Sequence, residues 1–213
     1  MTVNGDIDQV AHEPIELEQR NSSAKVEARI CHVNSIDDTL KDQLGEWSDY
    51  IKQLVSDDPE HDVVHSQTLT WDWEQFFEDA LRSKETKFAI ICRSKSRIEG
   101  CMTLLLMPEG SPNFKCPYVL VEYIESAPWN RIPHPSREPA LKGVGACLMN
   151  TAVVISDKLG YCGRLGLHSL PSACTYYESY GMERRGEEFD SDGEQYPFFA
   201  LDFVSESQSD SGE

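Results

Sequence analysis

No apolar run in this chain approaches the roughly 20 residues that a membrane-crossing helix needs. The opening MTVNGDIDQVAHEPIELEQR has neither the basic start nor the greasy stretch of a secretion signal. A soluble, cytoplasmic protein with no membrane partner is therefore expected. Paired cysteines are also missing: the seven cysteines are odd in number and none stands in a C-x-x-C pair, so the spacing signals neither a disulfide framework nor a zinc site. Positive charge is scarce, with 19 Lys and Arg against 37 Asp and Glu and a net charge of −18. Such a field repels phosphate backbones, which argues against nucleic acid as a partner, and draws cationic ligands toward any acidic cleft. Internal repeats, low-complexity blocks and Gly/Ser linkers are absent as well, so the core shows no seam.

What is present suffices to fold. A hydrophobic fraction of 39% over 213 residues, with four Trp, eight Tyr and eight Phe, can bury one sizeable core. Residues 1–24 and 205–213 are polar and acidic and read as tails, leaving 25–204 as a single domain. KVEARICHV alternates as a first strand. Leu40, Leu44, Trp47, Ile51 and Leu54 then recur in steps of three and four, the stripe of a helix packed on a core. TLTWDWEQFFEDALR reads as a second helix with Thr70 as its N-cap. KFAIICRS, IEGCMTLLLM and YVLVEYIESA are three strands, the last two joined by the Pro- and Gly-rich PEGSPNFKCP. A proline-punctuated loop, PWNRIPHPSREP, precedes a helix that runs to Lys158 and stops at Gly160; the strand GRLGLHSL, the short helix SACTYYESYG and the closing strand YPFFALDF follow. The expected class is α/β, a mixed, mostly antiparallel central sheet with flanking helices.

The stretch ALKGVGACLMNTAV sets Gly143 and Gly145 one residue apart at the mouth of that helix, with Lys142 beside the first. Glycine lets backbone N–H groups approach a ligand, and a helix start offers unpaired N–H groups and a positive dipole end, which together suit a phosphate. A nucleoside-triphosphate loop would place the lysine after its glycines, and a dinucleotide fingerprint needs a third glycine where Leu148 stands. Neither scheme fits. The glycines could equally serve close packing of helix on strand.

Some thirty residues further on stands TYYESYGM. In this order the segments resemble the GNAT superfamily, the Gcn5-related N-acetyltransferases. KGVGACLM is similar to that family's diphosphate loop and helix, and YYESYGM to its Y-E-x-x-G-F ending, with Met182 for Phe. Ala140 stands where the family often has Gln or Arg, a role Arg137 or Lys142 could fill.

The resemblance implies acetyl-CoA, or another acyl-CoA, as co-substrate, with no metal. Its diphosphate would sit on the amides of Gly143, Val144, Gly145 and Ala146 beside Lys142, and its pantetheine arm on the backbone of Ile124, Glu125 and Ser126. The implied reaction is acetyl transfer to a primary amine, a small cationic amine or a protein amine, by direct attack in a ternary complex. Such chemistry needs a base for the ammonium, an oxyanion donor and an acid for the departing thiolate. Tyr177 matches the family's acid. Glu122, Glu125 and His168 are candidate bases, although strand alternation sets the two glutamates on opposite faces unless a bulge intervenes. Trp71, Trp73, Trp129 and Asn130 are candidate walls for the acceptor. Cys147, near the helix start, is a candidate nucleophile of a different class. A non-catalytic CoA-binding or interaction module on the same fold is the alternative, and the chain is expected as a monomer or homodimer.

Overall fold

The computed structural model describes residues 14–20, 22–57, 67–83, 85–95, 97–131, 140–189 and 195–203. They divide into two compact units. The first takes the described residues up to Leu104 together with Tyr123–Thr151; the second takes Leu105–Glu122 and the described residues from Ala152 onward.

In the first unit, strands β1 (Pro14–Gln19), β2 (Lys25–His32), β3 (Lys87–Ser94) and most of β4 (Ile98–Met107) lie in sequence order, with the two-residue β6 (Leu141–Lys142) outside β1. β1 and β2 are antiparallel, with Ile15 opposite Ala28, and β6 runs antiparallel to β1 with Lys142 opposite Glu18. β2 and β3 are antiparallel too. The turn from β3 to β4 is closed by reciprocal backbone bonds between Ser94 and Arg97.

Helix α1 (Asp38–Asp57) begins where the Asp37 carboxylate accepts from the Leu40 N–H at 2.8 Å. It buries Leu40, Leu44, Trp47, Tyr50 and Leu54. Helix α2 (Trp73–Arg82) is capped by Asp72, which accepts from the Gln75 N–H at 3.0 Å. Thr70, the cap expected from sequence, instead lies in a preceding 3-10 turn, Gln67–Thr70, because the carboxylate two residues later meets the free amides. The two helices and β3, β4 and the end of β5 (Tyr118–Ser126) enclose a core of Trp47, Tyr50, Trp73, Phe77, Ile91 and Trp129. The Trp47 indole N–H donates to the Ile98 carbonyl at 3.2 Å, tying α1 to β4.

In the second unit the strand order is β5, β7 (Leu165–His168), β9 (Gln195–Leu201), β8 (Glu183–Phe189). β5 and β7 are parallel over Val119–Val121, and β9 is antiparallel to both β7 and β8. Phe114, Tyr118, Phe198 and Ala200 form its core. Gly166 is required there, since a Cβ would lie 2.6 Å from Tyr118 Cε2 and 2.7 Å from Phe198 Cζ. The Arg164 side chain bonds Asp202 at 3.2 Å across the unit.

Helix α4 (Val144–Lys158) ends at Gly160, whose φ of +79° is the left-handed stop expected there. The class is as expected: mixed α/β, with mostly antiparallel pairing and flanking helices. Besides β6 and the 3-10 turn, three further elements differ from the sequence reading. Residues 14–19, assigned to the polar tail, form β1, because Ile15 and Leu17 alternate with glutamates and Leu17 is buried. Pro128–Arg131, assigned to a loop, is a helical turn, α3. ERRGEEF is an edge strand whose charged side chains gave no apolar alternation. Residues 1–13 and 205–213, read as tails, and Arg137 lie outside the described residues.

Candidate functional site

The glycine pair folds as a helix mouth. Gly143 joins β6 to α4 with φ +86°, a left-handed conformation that costs other residues roughly 1–2 kcal/mol. Its carbonyl accepts from the Cys147 N–H at 2.8 Å, so Gly143 is the N-cap. The amides of Val144, Gly145 and Ala146 are then the opening N–H groups of a 15-residue helix and have no acceptor within it. They carry the positive end of its dipole. Val144 is the buried anchor of the mouth: a Cβ on Gly100 of β4 would stand 2.6 Å from Val144 Cγ1. Lys142 is exposed beside it.

The same unit contains a cleft of about 430 Å³ between α1, the 3-10 turn and the start of α2, lined among others by Gly45, Ser48, Thr70, Trp71, Trp73 and Glu125. Trp71 and Trp73 are thus at the cleft. Trp129 and Asn130 are not among its lining residues; both are buried and bond a carboxylate the sequence reading did not single out, that of Glu99.

Glu125 is buried. It accepts from the Trp73 indole N–H at 2.7 Å and pairs with an Arg131 guanidinium nitrogen at 2.5 Å. Arg131 also donates to the Thr68 hydroxyl at 3.0 Å. Burial pushes the Glu125 carboxyl up, while Arg131, Trp73 and Thr68 act against it. Tyr123 stacks on Phe76 of α2 with ring centroids 3.9 Å apart, so Tyr123 and Glu125 share the face of β5 turned to α2. The pleat sets Glu122 and Ile124 on the other face. The β5–β7 ladder stops at Val121 opposite Leu167, leaving Ile124–Ser126 outside it.

In the second unit Glu122 is half-buried. His168 closes β7 opposite Phe198, with ring centroids 5.2 Å apart. Tyr177 lies on the short helix α5 (Cys174–Ser179), buried against Phe199 with ring centroids 6.0 Å apart. Burial raises its phenol pKa, with Tyr176 and Cys174 adding to the shift, so the hydroxyl keeps its proton throughout the physiological range. Cys147 is half-buried and its thiol is likewise pushed up by burial, the opposite of the lowering an attacking cysteine needs. Two participants escaped the sequence reading. Arg131 carried no signal beyond its charge in PWNR, and Glu99 carried none at all, since a lone carboxylate on a strand is ordinarily solvated.

Among the described residues no helix is long and apolar enough to cross a membrane. No family model matches the chain, and no curated protein matches it in sequence. Solved structures do. The chain is similar to an aminoglycoside N-acetyltransferase, AAC(6')-Iy, in complex with CoA, at 18% identity and a TM-score of 0.50, over 79% of this chain and 96% of that one. It is similar to the PaiA N-acetyltransferase of Thermoplasma acidophilum in complex with coenzyme A (11% identity, TM-score 0.49, 82% and 99% covered). The N-acetyltransferase PseH of Campylobacter jejuni gives 13% identity and a TM-score of 0.46 over 82% of this chain and 96% of that one. The chain has the Gcn5-related N-acetyltransferase fold.

Proposed function

We propose that the protein is an N-acetyltransferase that moves an acetyl group from acetyl-CoA to a primary amine by direct attack in a ternary complex. The observation that carries this reading is the helix mouth at Gly143, where a left-handed glycine caps α4 and the next three amides have no acceptor within the helix. A diphosphate suits that array, with the Lys142 ammonium beside it. The backbone of Ile124, Glu125 and Ser126, beyond the β5–β7 ladder, offers strand-like pairing to the pantetheine arm.

In the reaction the amine nitrogen forms a bond to the thioester carbonyl carbon and the C–S bond breaks. The ammonium gives up a proton and the thiolate gains one. Tyr177, protonated across the physiological range, supplies the thiolate's proton. Glu122 is the preferred base, with His168 second. Glu125, already engaged by Arg131 and Trp73, serves better to shape the cleft than to accept a proton. The acceptor enters the cleft between α1 and α2, where Trp71 and Trp73 take its apolar body and Asp72 attracts its ammonium, Glu74 being paired with Lys41. A small cationic amine and a protein amine both meet these terms.

The test is thiol release from acetyl-CoA against a panel of amines. Tyr177→Phe should lower kcat by about 100-fold, within the range for a lost acid, with CoA affinity unchanged. Tight CoA binding without thiol release for any amine would instead make the chain a non-catalytic binding module on this fold.

A further inference from the structure

The Glu99 side chain is 3% exposed, yet its carboxylate is surrounded by donors. Oε1 accepts from the Ser94 hydroxyl at 2.6 Å. Oε2 accepts from the Trp129 indole N–H at 2.8 Å and the Asn130 amide at 2.9 Å. Asn130 passes the connection on. Its amide nitrogen also reaches the Glu99 carbonyl at 3.2 Å, and its Oδ1 accepts from the Leu141 N–H at 2.8 Å. Leu141 is in β6, two residues before the left-handed Gly143. The Asn130 carbonyl accepts from the Arg20 guanidinium at 2.9 Å, and the Arg20 N–H donates to the Ala140 carbonyl at 2.7 Å.

The bonds from the Leu141 N–H to Asn130 Oδ1 and from the Asn130 amide to the Glu99 carboxylate point the same way, so each polarises the next. The residue after Glu99 is Gly100, whose missing Cβ makes room for Val144. Adjacent positions of β4 therefore fix both sides of the helix mouth, the strand entering it through Asn130 and the first helical residue by contact.

We propose that Glu99 and Asn130 are positioning residues for the ligand-binding mouth of α4: they hold β6 in register so that the amides of Val144, Gly145 and Ala146 converge on one anion. This rests on the reading of that mouth as the diphosphate site. Neither residue touches the ligand, and the effect passes through Leu141.

Asn130→Ala leaves the Leu141 N–H without its acceptor and takes one donor from Glu99. Two measurements on the full chain test the consequence. Hydrogen exchange without ligand should rise about tenfold in peptides spanning 140–151, with β2 and β3 unchanged. Calorimetry with coenzyme A should show about tenfold weaker binding, and the KM for acetyl-CoA should rise while that for the amine holds. Glu99→Gln retains the acceptor for Trp129 and Asn130 and turns its amide to the Ser94 oxygen, so its CoA affinity should stay within about threefold of the parent.

The proposal is overturned if exchange in Asn130→Ala is unchanged or rises evenly over β2–β4, if CoA affinity is unaltered, or if Glu99→Gln is as damaging as Asn130→Ala. Should the parent chain itself bind no CoA, the diphosphate reading fails, and the exchange measurement alone still decides whether Asn130 holds the mouth.

Discussion

Replacing Gly100 by alanine probes the contact on which α4 begins. The added methyl would stand 2.6 Å from Val144 Cγ1, 3.0 Å from Leu148 Cδ1 and 3.2 Å from the Glu125 carbonyl oxygen. Leu148 can turn its terminal methyl aside, but Cγ1 of a β-branched valine at a helix start has few rotamers to choose from. Strand and helix must separate, and overpacking of this kind costs about 1–3 kcal/mol. The displacement falls on the helix mouth, so CoA affinity should drop with stability. Val144→Ala alone removes two buried methyls at a cost of about 2 kcal/mol. In the double variant the clash with Val144 is gone, and the two costs should fall short of their sum by about 1–2 kcal/mol. Urea unfolding of the four proteins, with CoA titration of each, measures this coupling. Additive costs, or a Gly100→Ala protein within about 0.5 kcal/mol of the parent, an effect typical of inconsequential surface changes, would refute the packing argument.

Arg131→Met should destabilise the protein by about 3 kcal/mol at pH 8, because it leaves the Glu125 carboxylate buried without its cation. Burial already raises the Glu125 pKa and Arg131 opposes the rise, so the variant's carboxyl moves higher still. Native Glu125 then holds a proton where the unfolded chain does not, and the variant's stability falls as pH rises. Urea unfolding at pH 5 and pH 8 should show the smaller loss at pH 5; an equal loss at both would contradict it. Gly143→Ala meets no atom within 4 Å, so its cost is conformational alone, roughly 1–2 kcal/mol. Calorimetry should record about tenfold weaker CoA binding, and a change below twofold would show that the mouth does not depend on the left-handed turn.

Periodicity made the helices legible in sequence. The stripe from Leu40 to Leu54 and the run from Val144 to Gly160 emerge as α1 and α4, because burial of one face and a glycine stop are local properties. β8 was not legible, since an edge strand with one wet side needs no apolar alternation. β1 was hidden by glutamates, and its pairing with β6 depends on residues far along the chain. At the candidate site the glycine mouth could be read because it is a backbone device written in residue type. The occupation of Glu125 by Arg131 and Trp73 could not be read, nor the burial of Glu99 beneath Trp129 and Asn130. Both arise where tertiary folding brings a carboxylate to donors 30 or more residues away in the case of Glu99, and 52 away for Trp73 and Glu125.

Arg20 and Asn130 are 110 residues apart in sequence, and the segment carrying Arg20 supplies the strand on which Lys142 pairs. On the ribosome, an early-made stretch must therefore wait for a partner that leaves the tunnel much later. Loop closure over such a span is entropically dear and slow. The packing of α1 and α2 on β3 and β4 should therefore precede completion of the helix mouth, so ligand competence would trail compaction during synthesis.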